Sequence, residues 1–275
     1  METMARLGYG ARGIVYLLVG MFALLAAVGE GGQTGGSRSA LGALLEQPFG
    51  AALVGMLALG LICFGAWRVV DAATDAEGHG SEPKGGLIRG ARAISGTIYL
   101  GLATTAVGMA LGYRSGAGSE DKAARDWTAW LFAQPLGRWL VGAIALAVLA
   151  TGAGYAWKAY RGRVTDRLDL PPNHRDWMSA LGRAGYGARG LVFVMVGGFL
   201  ALAAWHSRSA EVKGVGGALR TLQDQPYGWL LLALTAAGLA CFGAFGLVQA
   251  RYRRLHAPSA RDLPGAAALG LARRT

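Results

Sequence analysis

The chain has 275 residues, of which 53% are apolar and only 16% charged, with 45 glycines and a formal net charge of +11. Long apolar runs with few charges exclude one or two ordinary soluble domains and mark a membrane protein, where glycine is better tolerated than in soluble helices. The basic excess would suggest nucleic acid in a soluble chain. Here it lies between and beside the apolar runs, as expected of loops facing anionic lipid, so lipid and not nucleic acid is the expected partner.

The first apolar run covers 11–28 and follows Gly8-Tyr9-Gly10-Ala11-Arg12-Gly13. These six letters fit the dinucleotide-binding pattern GxGxxG, but that motif works only between a β-strand and a helix. Only six residues precede Leu7, and a span follows. The embedded GYG resembles a potassium-filter loop, which needs four equivalent segments at membrane depth. Close packing is the better reading. On a helix, Gly10, Gly13, Leu17 and Gly20 share one stripe, and small residues let membrane helices approach closely. The run also has a signal-peptide look, but the same element recurs inside the chain at Gly185, so a mature span is expected.

Further runs cover 50–70, 93–112, 137–157, 190–206 and 228–249, each reaching or approaching the ~20 residues a helix needs to cross hydrocarbon. Repetition is the strongest signal. Glu46-Gln47-Pro48-Phe49-Gly50 matches Ala133-Gln134-Pro135-Leu136-Gly137 and Asp224-Gln225-Pro226-Tyr227-Gly228, and Cys63-Phe64-Gly65-Ala66 matches Cys241-Phe242-Gly243-Ala244. Arg6, Arg89 and Arg183 align, as do Gly13, Gly96 and Gly190, and Tyr16, Tyr99 and Phe193. The chain therefore reads as three units of two spans, at 1–75, 76–165 and 166–256, with a basic tail at 257–275. The small stripe recurs as Ala93, Gly96 and Ala103 in the middle unit and as Gly187, Gly190 and Gly197 in the third. Three parallel repeats predict an all-α membrane protein, a pseudo-threefold bundle of six transmembrane helices.

Lysine and arginine set the expected orientation. The side holding both termini carries 19 of the 27 basic residues, the opposite loops eight, which predicts cytoplasmic N- and C-termini in a bacterial plasma membrane. Trp67, Trp139, Trp157, Tyr160, Trp229 and Tyr252 lie at span ends and suit an aromatic belt.

Arg12 and Arg189 fall one turn inside that end, where long side chains can snorkel to headgroup phosphates. With Arg6, Arg89 and Arg183 they are the candidates for binding lipid phosphate or another anion; the middle unit has Ser95 in the aligned place. Gln47, Gln134 and Gln225 are outer-face candidates, as helix caps or as groups converging on the axis. The stretches before them are amphipathic and suit interfacial helices.

Catalytic chemistry is not expected: no Asp, Glu, Lys or His lies near the middle of a span, and Thr104, Thr105, Thr151 and Thr235 can bond to their own backbone. Asp75, Glu77, His79 and Glu82 read as a solvated loop; His174 and His206 lack partners at metal spacing, so no cofactor or metal is expected. Cys63 and Cys241 sit inside apolar runs and read as inert thiols.

The repeated Gly-Tyr-Gly-Ala-Arg-Gly, the Gln-Pro-(Phe/Tyr)-Gly segments and Lys158-Ala159-Tyr160-Arg161-Gly162-Arg163-Val164 resemble the bacterial membrane family catalogued as domain of unknown function 1206. That resemblance implies six helices and no assigned activity. The expected role is a membrane scaffold or a bundle interacting with lipid, a cytoplasmic protein or a second copy of itself. The alternative is a transporter or channel for a small neutral or anionic solute along the axis. Mitochondrial carriers also use three two-helix repeats, an analogy of topology only.

Overall fold

The computed structural model describes residues 2–30, 32, 34–75, 83–113, 120–166 and 168–253. Glu77, His79, Glu82 and the 257–275 tail lie outside the described residues. Among the described residues there are nine α-helices: α1 (Glu2–Ala27), α2 (Ser37–Leu45), α3 (Gly50–Thr74), α4 (Pro83–Ala110), α5 (Glu120–Phe132), α6 (Gly137–Arg161), α7 (Arg175–His206), α8 (Val215–Gln223) and α9 (Gly228–Tyr252). The long six are apolar enough to span a bilayer, and 25 residues rise about 37 Å, more than the ~30 Å of hydrocarbon. Each unit is thus long helix, short helix, long helix. The first and fifth spans begin well before their apolar runs, because an apolar run marks where a helix meets hydrocarbon, not where its hydrogen-bond ladder starts.

Neighbouring units pair through their long helices: α3 with α4, α6 with α7, and α9 back onto α1, which joins the third unit to the first. The small stripes make these pairings. A Cβ on Gly20 would stand 2.5 Å from the Ala240 nitrogen, and one on Gly13 2.8 Å from the Gly243 oxygen, so α1 and α9 touch backbone to backbone. Gly190 meets Gly152 of α6, Gly197 meets Leu149, and Gly96 meets Gly65 of α3 in the same way, while Ala103 is fully buried. Gly10, Gly187 and Ala93 stand at looser, half-buried points of the stripe.

Arg6, Arg89 and Arg183 reinforce the same joints. Arg6 donates to the Ala250 and Arg251 carbonyls, Arg89 to those of Ala72 and Ala73 (2.7 and 2.9 Å), and Arg183 to that of Ala159 (3.1 Å). Each binds the C-terminal carbonyls of the neighbouring unit's last helix, where unsatisfied acceptors and the helix dipole favour a cation.

Within units the picture differs. α1 packs on α3, and α7 on α9. Gly8 and Gly185 lie against the Phe64 and Phe242 backbones (2.5 Å from an added Cβ to each Cα), and Ala11 and Ala188 fill the space over Gly60 and Gly238. The middle unit has Ala91 for Gly8, Ile94 for Ala11 and Ala147 for Gly60, side-chain bulk where backbones must meet. α4 and α6 form no comparable interface. The ring is therefore open at one place.

At the opposite end from the termini, α2, α5 and α8 bring their N-termini together. The Glu120 carboxylate accepts from the Arg38 amide (3.0 Å), and Asp121 accepts from the Gly214 and Gly217 amides (2.7 and 3.1 Å), with Arg220 at 3.4 Å. Two adjacent acids of the middle unit thus cap helices of both other units, meeting amides that would otherwise lack partners. Burial pushes the Glu120 carboxyl above its ordinary value of 4.5, with the Asp121 charge adding to the rise; the Arg38 amide and charge and the Ser37 amide oppose it. An acid with a raised pKa in the folded state binds more protons folded than unfolded. Its stabilising contribution is therefore complete below about pH 4.5 and is lost as pH rises from there through the raised value. Glu120→Gln is expected to remove this slope from a plot of melting temperature against pH.

The Gln-Pro segments form tight turns. The carbonyls of Gln47, Gln134 and Gln225 accept from Gly50, Gly137 and Gly228 (2.8, 3.0 and 2.8 Å), and Phe49, Leu136 and Tyr227 have φ of 61°, 63° and 58°. Proline suits the second position of such a turn. The three glutamines therefore act through their backbones: α3, α6 and α9 have no side-chain cap. Gln225 returns to its own Thr221 carbonyl at 3.4 Å, and both it and Gln47 are exposed.

Candidate functional site

Arg12 and Arg189 do not lie on the outside of the bundle. They lie inside helices that begin at Glu2 and Arg175, and their side chains are 5% and 7% exposed. Both point to the bundle interior. The sequence carries a signal of this: each arginine has an aromatic residue three before it and another four after, Tyr9 and Tyr16, and Tyr186 and Phe193. Those spacings put all three on one helix face.

The result is two charged groups in an aromatic box. The Arg189 guanidinium carbon lies 4.7, 5.2, 5.1 and 4.6 Å from the ring centres of Tyr16, Tyr155, Phe193 and Phe242. Arg12 lies 5.3, 5.0 and 5.1 Å from Tyr9, Phe64 and Phe242. Each such contact contributes about 0.5–2 kcal/mol, the larger values when desolvated. Arg12 also donates to Gln249 Oε1 at 2.9 Å, and Tyr99 of α4 lies close to both Arg189 and Tyr16.

These contacts do not complete the guanidiniums. Arg12 Nε and Arg189 Nε and Nη1 are buried without acceptors, and no described Asp or Glu is paired with either arginine. The acid of this layer, Asp71, is paired with Arg92. Both guanidiniums face the same Phe242 ring, so they are at most about 10 Å apart. At an effective dielectric of about 20 their repulsion is about 2 kcal/mol. Lys158 adds a third cation, 4.4 Å from the Tyr186 ring centre. An unsatisfied buried donor costs about 1–3 kcal/mol, more when charged.

The open joint lies beside this cluster, since Arg189 touches Tyr99 on α4 and Tyr155 on α6, the two helices that fail to pack. Positions buried in the outer units are exposed here. Val15 and Val192 are each 1% exposed, but the aligned Ile98 is 65%. Phe64 and Phe242 are buried, but Thr151 stands exposed in their place, bonded to its own Ala147 carbonyl at 2.8 Å. Trp67 and Phe245 are buried, and their counterpart is Gly154, with open space at its Cβ position. Trp67 therefore belongs to the core and not to an aromatic belt; Trp139, Trp157, Tyr160 and Trp229 are exposed as expected. Thr104 and Thr105 bond to the Gly101 carbonyl. Cys63 and Cys241 are free and half-buried.

The chain matches the family described as Domain of Unknown Function (DUF1206) three times, at residues 7–75, 91–162 and 184–253. It is 31% identical over 257 residues, 92% of each chain, to Uncharacterized protein YxxB of Bacillus subtilis (strain 168). No solved structure matches it. With three matched units, each joined to the next through a glycine-lined pair of spans, the chain is a multi-pass membrane protein of the DUF1206 family.

Proposed function

We propose that this protein is a non-enzymatic bundle of the bacterial plasma membrane, with both termini cytoplasmic, that receives lipid from the side through the cleft between α4 and α6. The observation that carries the reading is the exposure of Ile98, Thr151 and Gly154 where their counterparts in the other units are buried. A cleft between two spans faces lipid, and its apolar walls suit acyl chains. The excess of basic residues on the side of the termini supports the orientation. The Glu120–Asp121 hub joins all three units at the other end, which favours lateral access over transit along the axis.

The cleft can be closed with the protein's own vocabulary. Ala91→Gly, Ile94→Ala, Ala147→Gly and Thr151→Phe together copy the outer units' contacts at these four positions. The quadruple variant is expected to retain at most half the lipid that the wild type carries through purification, measured by native mass spectrometry. Equal lipid retention by a folded quadruple variant would end this reading.

A further inference from the structure

We propose that Arg12, Arg189 and Tyr99 form a buried binding site for an oxyanion, a phosphate monoester or diester, which neutralises the two guanidiniums. Reaching it from the lipid side rests on the cleft described above; the site itself does not.

The argument is one of incomplete chemistry. Three guanidinium nitrogens on two side chains, each more than nine-tenths buried, have no acceptor. A guanidinium keeps its charge in proteins, so burial cannot be relieved by losing the proton. The usual remedy is a buried carboxylate, and among the described residues neither arginine is paired with one. The aromatic rings stabilise the cations but supply no acceptor for those nitrogens. A phosphate oxyanion supplies both the charge and the acceptors, and arginine is suited to it.

The repeat indicates where the ligand lies. Two of three aligned positions hold arginine, and the third holds Ser95, one helical turn before Tyr99 on α4. Ser95 puts a short side chain where each other unit has a long cationic one. Around it, Thr151 and Gly154 replace large residues, so space and positive charge fall in the same sector. A headgroup there would have its acyl chains between α4 and α6.

The test measures thermal stability of the full-length protein. One arm is in a non-ionic detergent, with inorganic phosphate against chloride at equal ionic strength. The other is in nanodiscs of phosphatidylcholine with or without phosphatidylglycerol. The wild type is expected to be stabilised in at least one arm. A shift in the phosphate arm alone identifies a free oxyanion, and a shift in the lipid arm alone identifies a headgroup; both support the site. Arg189→Gln should abolish the shift and Arg12→Gln reduce it at least fivefold. Arg161→Gln, an exposed arginine at the same end, should leave it unchanged. Ser95→Glu gives a second test, because it brings a carboxylate to the empty position. It should raise the melting temperature without added anion and remove the response to anion. No wild-type shift in either arm overturns the proposal, as does a full shift in both arginine variants or in Ser95→Glu. The closed-cleft quadruple variant separates the two readings. If it loses the lipid shift but keeps the phosphate shift, both stand; if lipid retention persists but ignores both arginines, only the site is lost.

Discussion

Gly243→Leu should unfold the bundle more readily than any surface substitution, because it parts α9 from α1. A Cβ there would stand 2.4 Å from the Leu17 nitrogen and 2.6 Å from the Gly13 carbonyl oxygen, backbone atoms that cannot rotate away. The α1–α9 pair is also the joint that brings the third unit back to the first. Overpacking a tight core costs about 1–3 kcal/mol, and a large side chain between two touching backbones belongs at or above the top of that range. The expected loss is about 3 kcal/mol in reversible unfolding from detergent micelles. Gly198→Ala is the control: its Cβ would meet nothing within 4 Å, and alanine favours the helix by up to about 1 kcal/mol. A Gly243→Leu protein as stable as this control would mean that α1 and α9 do not pack as described.

Asp121→Ala should loosen the other end. The carboxylate accepts from two amides of α8's first turn and faces Arg220, and the residue is 5% exposed. Its removal leaves amides without acceptors, and a lost cap costs about 0.5–2 kcal/mol. Charge-assisted bonds add to this, so about 2–4 kcal/mol is expected. Asp121→Asn keeps an acceptor oxygen and should lose about half as much. Amide hydrogen exchange gives the sharper readout: Gly214 and Gly217 should lose protection in Asp121→Ala while the α1–α9 amides keep theirs. Loss of protection throughout would show that the hub is not a separate local structure.

The units and the stripes were legible because they are periodic. Small residues at helical spacing have few uses in a membrane other than close approach, and Gly13, Gly20 and Gly190 stand where that logic puts them. The burial of Arg12 was not legible from the apolar run, which puts the residue at a helix entry, whereas the helix starts nine residues before that run does. The helical spacing of Tyr9, Arg12 and Tyr16 carried the missing information: a snorkelling arginine has no need of aromatic residues on its own face. The open joint could be read only by comparing copies. Ile94 looks harmless until it is set beside Ala11 and Ala188, which pack over glycine. Glu120 and Asp121 gave no signal, because the groups they cap lie some 80 to 100 residues away in sequence and meet them only in the folded chain.

The turns before α3, α6 and α9 carry one more implication. Phe49, Leu136 and Tyr227 occupy the left-handed backbone region, which costs a residue with a side chain about 1–2 kcal/mol and which glycine would occupy freely. Yet all three are large, apolar and at least 73% exposed, and each begins a helix of 25 residues. Three points define a plane. A greasy foot on each unit, at the head of three equal helices, is expected to act as a tripod at the bilayer boundary: replacing all three with glycine should change the depth and tilt read from the protein in oriented bilayers.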